Sequence, residues 1–206
     1  MVMASLTQPA RSAAGTRVVV TTDIAGMLRL DGQIGLNAVA VVFDGKQAQN
    51  SAGQAGKADQ DLVDSLTEDT VEHFLTALAN GGGVRKLALR AKVSDPQHPS
   101  VPVVYCDVYQ IVDRSQASWK SAPQVKSYCF DSQTHLLRGV SYRPPGGSTL
   151  VETRYTDWRP VDATGQMASW KVERFENGTQ VLAFTVQSAA VAAAASDDKF
   201  KAMPTK

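Results

Sequence analysis

The chain has 206 residues, 43% hydrophobic and 20% charged, a balance that suits a folded domain and excludes global disorder. Lysine and arginine number 21 against 20 aspartates and glutamates, for a net charge of +1, so there is no basic excess to neutralise a nucleic-acid backbone. No apolar run reaches the ~18–20 residues that a membrane-spanning helix needs.

Residues 1–15 (MVMASLTQPARSAAG) are small and polar and read as a loose leader ahead of a single domain over 16–206. They lack the basic start and long apolar stretch of a signal peptide, so the chain is either cytosolic or begins after a removed signal. From Thr16 the pattern is β. RVVVTTDIAGMLRLDG is rich in β-branched residues and ends in Asp31-Gly32; QIGLNAVAVVFDGK follows and ends in Asp44-Gly45. Two such runs around a tight turn predict a hairpin.

A polar loop over 46–58 precedes a change of period. Leu62, Leu66, Thr70, Phe74 and Leu78 recur every four residues, flanked by Val63, Val71 and Leu75. This predicts one amphipathic helix over 59–79, capped by Asp59 and ended by Asn80-Gly81-Gly82-Gly83. Its length, roughly 31 Å, would cross about six strands. The remaining segments are β runs separated by turn chemistry at Asp95-Pro96, Ser132-Gln133-Thr134, Pro144-Pro145-Gly146-Gly147, Asp162–Gly165 and Asn177-Gly178. About nine strands with one helix predict an α+β fold, mainly antiparallel β.

Cys106 and Cys129 sit on neighbouring predicted strands. A symmetric register would place them opposite one another, as a cross-strand disulfide or as two buried thiols. The histidines, His73, His98 and His135, fall in no catalytic or metal-binding motif, and no catalytic residue or metal ligand is assigned. The acidic residues Asp59, Asp61, Asp64, Glu68, Asp69 and Glu72 read as the solvated face of the helix. Trp158 and Trp170 are expected to pack on each other, with Trp119 in a polar loop.

The order of parts carries a resemblance. A hairpin ends in Phe43-Asp44-Gly45-Lys46, a long helix follows, and later strands carry Phe130-Asp131-Ser132-Gln133-Thr134-His135-Leu136-Leu137 and Tyr155-Thr156-Asp157-Trp158-Arg159-Pro160-Val161-Asp162. Over residues 16–204 the chain resembles the outer-membrane lipoprotein carrier (LolA/LolB-like) superfamily. The resemblance implies a curved half-barrel whose concave face is covered by the helix, in a periplasmic or cell-envelope protein rather than a cytoplasmic one. It implies a non-enzymatic protein without a cofactor that binds a lipid, a lipoprotein acyl chain or another hydrophobic ligand, with an envelope protein as a further partner. Val39, Val41, Leu87, Leu89 and Tyr105 are candidates to line the concave wall, and Leu66, Phe74 and Leu78 to form the lid. Arg29 is the nearest counterpart of the arginine that holds the lid in such carriers, followed here by Leu30 instead of proline. Two other readings stand beside this one: an interaction or sensor domain with a filled core, and an enzyme of unknown class, which would need the histidines to converge with carboxylates.

Overall fold

The computed structural model of the chain describes residues 1–23, 26–34, 37–51, 53–80, 83–87, 91–93, 104–113, 124–163, 165–191 and 200–201. In chain order the strands are β1 (Val2–Gln8), β2 (Ser12–Thr22), β3 (Leu28–Ile34), β4 (Asn37–Phe43), β5 (Ala48–Asn50), β6 (Gly53–Gln54), β7 (Val84–Lys86), β8 (Ala91–Val93), β9 (Val104–Asp113), β10 (Gln124–Asp131), β11 (Leu137–Tyr142), β12 (Val151–Pro160), β13 (Met167–Glu176) and β14 (Thr179–Ala189). Between β6 and β7 lie α1 (Lys57–Val63), a π-helical turn (Asp64–Glu68) and α2 (Val71–Ala79).

All fourteen strands belong to one open antiparallel sheet in the order β6-β5-β4-β3-β2-β1-β14-β13-β12-β11-β10-β9-β7, with β8 also on β9. Hairpins account for most neighbours. The exceptions are β1 against β14, which joins the two halves of the chain, and β7 against β9. Because β6 and β7 stand at opposite ends of that order, the helical segment must run across a face of the sheet. That inner face carries the core, with Leu6, Leu30, Val41, Tyr155, Val172 and Leu182 meeting Leu62, Val63 and Phe74 of the helical segment.

The structure corrects four expectations. Residues 1–15 are not a loose leader: β1 and the start of β2 form a hairpin in the middle of the sheet, with Ala4 and Leu6 buried. The strand count is fourteen among the described residues, not nine. Asp31-Gly32 lies inside β3 and is not a turn; the chain reverses earlier, where Asp23 Oδ1 accepts the Met27 N–H at 2.8 Å and Gly26 adopts φ 82°. Gly32 is needed for packing instead, since a Cβ there would stand 2.7 Å from Val18 Cγ1 on the paired strand.

The fourth correction concerns the helix, which is two short helices rather than one long one. Ser65 and Thr67 turn their hydroxyls back to the carbonyls of Asp61 and Val63, each at 2.7 Å. The Asp69 N–H reaches the Asp64 carbonyl at 2.8 Å, five residues back. Thr70 is then extended (φ −91°, ψ 169°) and caps α2 by accepting the His73 N–H at 3.3 Å. The start differs too: Gly56 is the N-cap, and Asp59 Oδ2 closes back on the Gly56 N–H at 3.0 Å. The four-residue apolar period runs through this break, so sequence spacing alone reads it as continuous. Turns of π helix inside helices frequently mark functional sites.

The turns at Asp44-Gly45 and Asn177-Gly178 fall where expected. Gly45 and Gly178 take φ 88° and 81°, and Asn177 takes φ 47°, the left-handed pair that a two-residue hairpin requires.

Candidate functional site

Beneath the π turn lies a buried polar network. Strand alternation explains how its members reach the inner face. On β10, Lys126, Tyr128 and Phe130 share one face. On β12 it is Val151, Thr153 and Tyr155, and on β13 it is Val172 and Arg174. Lys126 and Arg174 are 1% and 3% exposed, and Asp69 on the helical segment is fully buried.

Asp69 occupies both its oxygens. Oδ1 accepts from Lys126 Nζ at 3.1 Å. Oδ2 accepts from Thr153 Oγ1 at 2.7 Å and Arg174 Nη1 at 3.0 Å. Arg174 Nη2 also donates to Tyr142 Oη at 3.0 Å and to Asp64 Oδ2 at 3.4 Å. Its Nε has no hydrogen-bond partner; the Asp61 Oδ1 atom lies 3.6 Å away. Lys126 Nζ donates to the Glu68 carbonyl at 3.1 Å and sits 5.1 Å from the centroid of the Tyr142 ring. Tyr155 Oη, with one proton, lies 2.8 Å from the carbonyls of both Ser65 and Asp69. These bonds satisfy carbonyls that the irregular turn releases from helical pairing.

The titration of the network follows from its burial. Asp64 is pushed up to about 6, first by desolvation and then by Glu68 and Asp69, with Gln60 and Arg174 opposing. Burial raises the Tyr142 and Tyr155 hydroxyls, and the Asp69 carboxylate adds to both. Burial works against the Arg174 charge, but Tyr142, Asp69 and Asp64 outweigh it and its pKa moves up.

A second tether holds the start of α1. Arg11 Nη2 lies 2.5 Å from Asp59 Oδ1, Asn50 Nδ2 donates to Asp59 Oδ2 at 2.8 Å, and Gln8 Nε2 donates to the Ala58 carbonyl at 2.5 Å. At the other end Phe74 packs among aromatic rings, with centroids 5.1 Å from Tyr128, 5.2 Å from Phe130 and 6.1 Å from Tyr109.

The residues singled out from sequence separate accordingly. Val41 is fully buried in the core, Phe74 is buried, and Leu66 is half-buried against it. Leu78 does not cover the core: it is 47% exposed. With the helix broken, α2 turns Val71, Phe74 and Ala77 inward at three-residue spacing, and Leu78 falls outside that stripe. Tyr105 is 54% exposed, two inner-face positions away from the Tyr109 ring that Phe74 covers. Leu87 is half-buried, and its N–H bonds to the Val108 carbonyl at 2.8 Å. The Val39 side chain and the whole of Leu89 lie outside the described residues, as do His98 and Trp119. Arg29 is no lid holder. Leu28 and Leu30 face the core, so Arg29 points to the other side, where its Nε and Nη2 grip Asp31 at 2.7 and 2.8 Å. Lys126 and Arg174 hold the helical segment instead.

Cys106 and Cys129 are joined as a disulfide. They are diagonal neighbours, not opposite ones: Cys106 pairs with Asp131 and Cys129 with Val108. Trp158 and Trp170 do not stack on each other. Trp158 Nε1 donates to the Leu137 carbonyl at 3.0 Å, and Trp170 lies under the Arg159 guanidinium, 4.6 Å from its centre. Among the described residues no group of three or more His, Cys, Asp or Glu could hold a metal ion, and no helix is long and apolar enough to cross a membrane.

Sequence reasoning missed the network because it assigned the acidic row to solvent. Asp59, Asp61 and Asp69 are all buried. The available signal lay on the strands: Lys126 shares its alternation with Tyr128 and Phe130, and Arg174 shares its with Val172. A cation on an apolar inner face requires an anion from the facing layer.

No family model matches the chain, and no curated protein matches it. Three solved structures are similar throughout. A LolA superfamily protein from Nitrosomonas europaea superposes with a TM-score of 0.60 at 10% identity, covering 98% of this chain and 88% of the other. An outer membrane lipoprotein-sorting protein domain from Vibrio parahaemolyticus gives 0.51 at 6% identity, covering 91% and 82%. A DUF1329 family protein from Desulfovibrio piger gives 0.50 at 8% identity, covering 99% and 89%. At these identities the likeness is one of fold, and the chain has the fold of the LolA superfamily.

Proposed function

We propose that the chain is a non-enzymatic cell-envelope protein that binds an acyl chain or similar hydrophobic ligand on the inner face of the sheet, with the helical segment as a displaceable lid. One observation carries this reading. The segment over 57–79 crosses the sheet and is attached to it by side chains: the charged residues Lys57, Asp59, Asp61, Asp64, Glu68 and Asp69 and the apolar Leu62, Val63 and Phe74. Removing it uncovers an inner face that is largely apolar around the Lys126–Arg174 centre, and exposed apolar surface of that kind needs a hydrophobic occupant.

Curvature supports a half-barrel. Asp59 touches β5 and Phe74 touches β9, ten strand spacings apart in the sheet order. That is about 48 Å along the sheet, yet about 23 Å of helix joins the two residues. A flat sheet does not permit both. The Cys106–Cys129 disulfide supports an oxidising compartment such as the envelope. The LolA-superfamily fold of the neighbours favours the same setting by analogy.

Close packing favours a second reading, an interaction domain whose core is permanently filled. Leu62 and Val63 have no exposed surface, so the closed structure leaves no open cleft beneath them. Native mass spectrometry of the purified protein, followed by organic extraction, separates the two. A co-purifying acyl species supports the carrier reading. A clean apo mass, with no uptake of fluorescent fatty acids, supports the filled core.

A further inference from the structure

Charge is divided between the two layers of the site. All but one of the ion pairs described between them run from a cation on the sheet side to an anion on the helical segment; the exception is Lys57 of α1, which pairs with Glu176 of β13. Arg174 pairs with Asp61, Asp64 and Asp69; Lys126 pairs with Glu68 and Asp69; Arg11 pairs with Asp59. The inner-face residues that pair with Lys126 and Arg174 on the strands between them are hydroxyl-bearing: Tyr142 on β11 and Thr153 on β12.

Lid displacement therefore does more than expose apolar wall. It removes Asp61, Asp64, Glu68 and Asp69 and leaves Lys126 and Arg174 on a face that also carries Val151, Thr153, Tyr155 and Val172. An uncompensated charge in such surroundings is strongly unfavourable. A neutral ligand would leave Arg174 without the Asp61, Asp64 and Asp69 carboxylates, whereas a ligand with its own anion would replace the Asp69 carboxylate. The receptor for that anion is already formed: Lys126 Nζ, Arg174 Nη1 and Thr153 Oγ1 converge on one carboxylate at 2.7–3.1 Å. Arg174 Nε, buried and without a hydrogen-bond partner, adds an unused donor.

Resting on the ligand-binding reading above, we infer that the ligand is an anionic amphiphile whose carboxylate or phosphate takes the place of Asp69 between Lys126, Arg174 and Thr153. Its acyl chain takes the place of the apolar side of the helical segment. Asp69 is then an internal mimic of the ligand's head group, and it competes with the ligand for one site.

The test measures binding of the full chain to three probes with the same fluorescent C16 chain: the fatty acid, the alkyl monophosphate and the methyl ester of the acid. The inference predicts that the acid or the monophosphate binds roughly 10- to 100-fold more tightly than the ester, the range for hydrogen bonds to a charged group. The stronger of the two identifies the head group. Arg174→Gln should bring that ratio close to one. Asp69→Asn, which removes the competitor and keeps the cations, should strengthen binding of the anionic probe. Equal binding of all three probes overturns the inference and leaves the hydrophobic-ligand reading standing. No binding of any probe overturns both. If Arg174→Gln does not fold, the wild-type probe ratio and the Asp69→Asn result decide the matter.

Discussion

Replacing Asp69 with alanine removes the carboxylate on which the lid's central attachment converges. The substitution deletes hydrogen bonds at 3.1, 2.7 and 3.0 Å and leaves Lys126, Thr153 and Arg174 facing a gap. Breaking a buried pair from one side costs about 3–5 kcal/mol, because the remaining charge stays buried without its partner. The structure argues for the lower end. Arg174 keeps Asp64 at 3.4 Å and Asp61 at 3.6 Å, and Lys126 keeps the Glu68 carbonyl at 3.1 Å and its carboxylate at 3.9 Å. The expected loss is therefore about 3 kcal/mol. Urea unfolding followed by tryptophan fluorescence measures it as a lower midpoint at constant slope. A loss below about 1 kcal/mol, the level of an exposed pair, would refute the claim that this network holds the helical segment to the sheet.

Three further outcomes follow from the same geometry. Asp64, raised to about 6, favours the folded protein below its ordinary value of 3.8 and loses that contribution as pH rises through 6. Asp64→Asn should therefore be more stable than the parent by about 2–3 kcal/mol near pH 8 and equal to it near pH 4; a less stable variant near pH 8 would contradict the assignment. Gly32→Ala should lower the melting temperature through the 2.7 Å approach to Val18, by about 1–3 kcal/mol in stability, and Val18→Ala in the same chain should recover part of that loss. Replacing Cys106 and Cys129 together by alanine opens a loop with a sequence separation of 23 and should cost about 3 kcal/mol on chain-entropy grounds, read by calorimetry.

The fold was legible where local chemistry decides it. Gly45, Asn177 and Gly178 mark turns because their left-handed backbone is costly for most other residues. Legibility failed where tertiary context overrides local pattern. Met1–Gly15 looks like a leader because Ser5, Thr7 and Gln8 interrupt its apolar positions. Gln8 is nevertheless buried, donating to Ala58 on the lid. Asp31-Gly32 has turn composition, but the glycine serves close packing against Val18. The inward position of Val41, Leu66 and Phe74 was legible, because they obey apolar periodicity. The charged centre of the candidate site was not, because Asp69 is indistinguishable in spacing from Glu72, which is exposed. Only the cations on β10 and β13 decide which acid turns inward.

The central claim is that the helical segment leaves the inner face when a ligand binds. Hydrogen exchange of the full chain, with and without a saturating C16 acyl probe, tests it most directly. The account predicts faster exchange over residues 57–79 in the presence of the probe, with β12 and β13 staying protected. Unchanged or slower exchange over 57–79 while the probe is bound would contradict it.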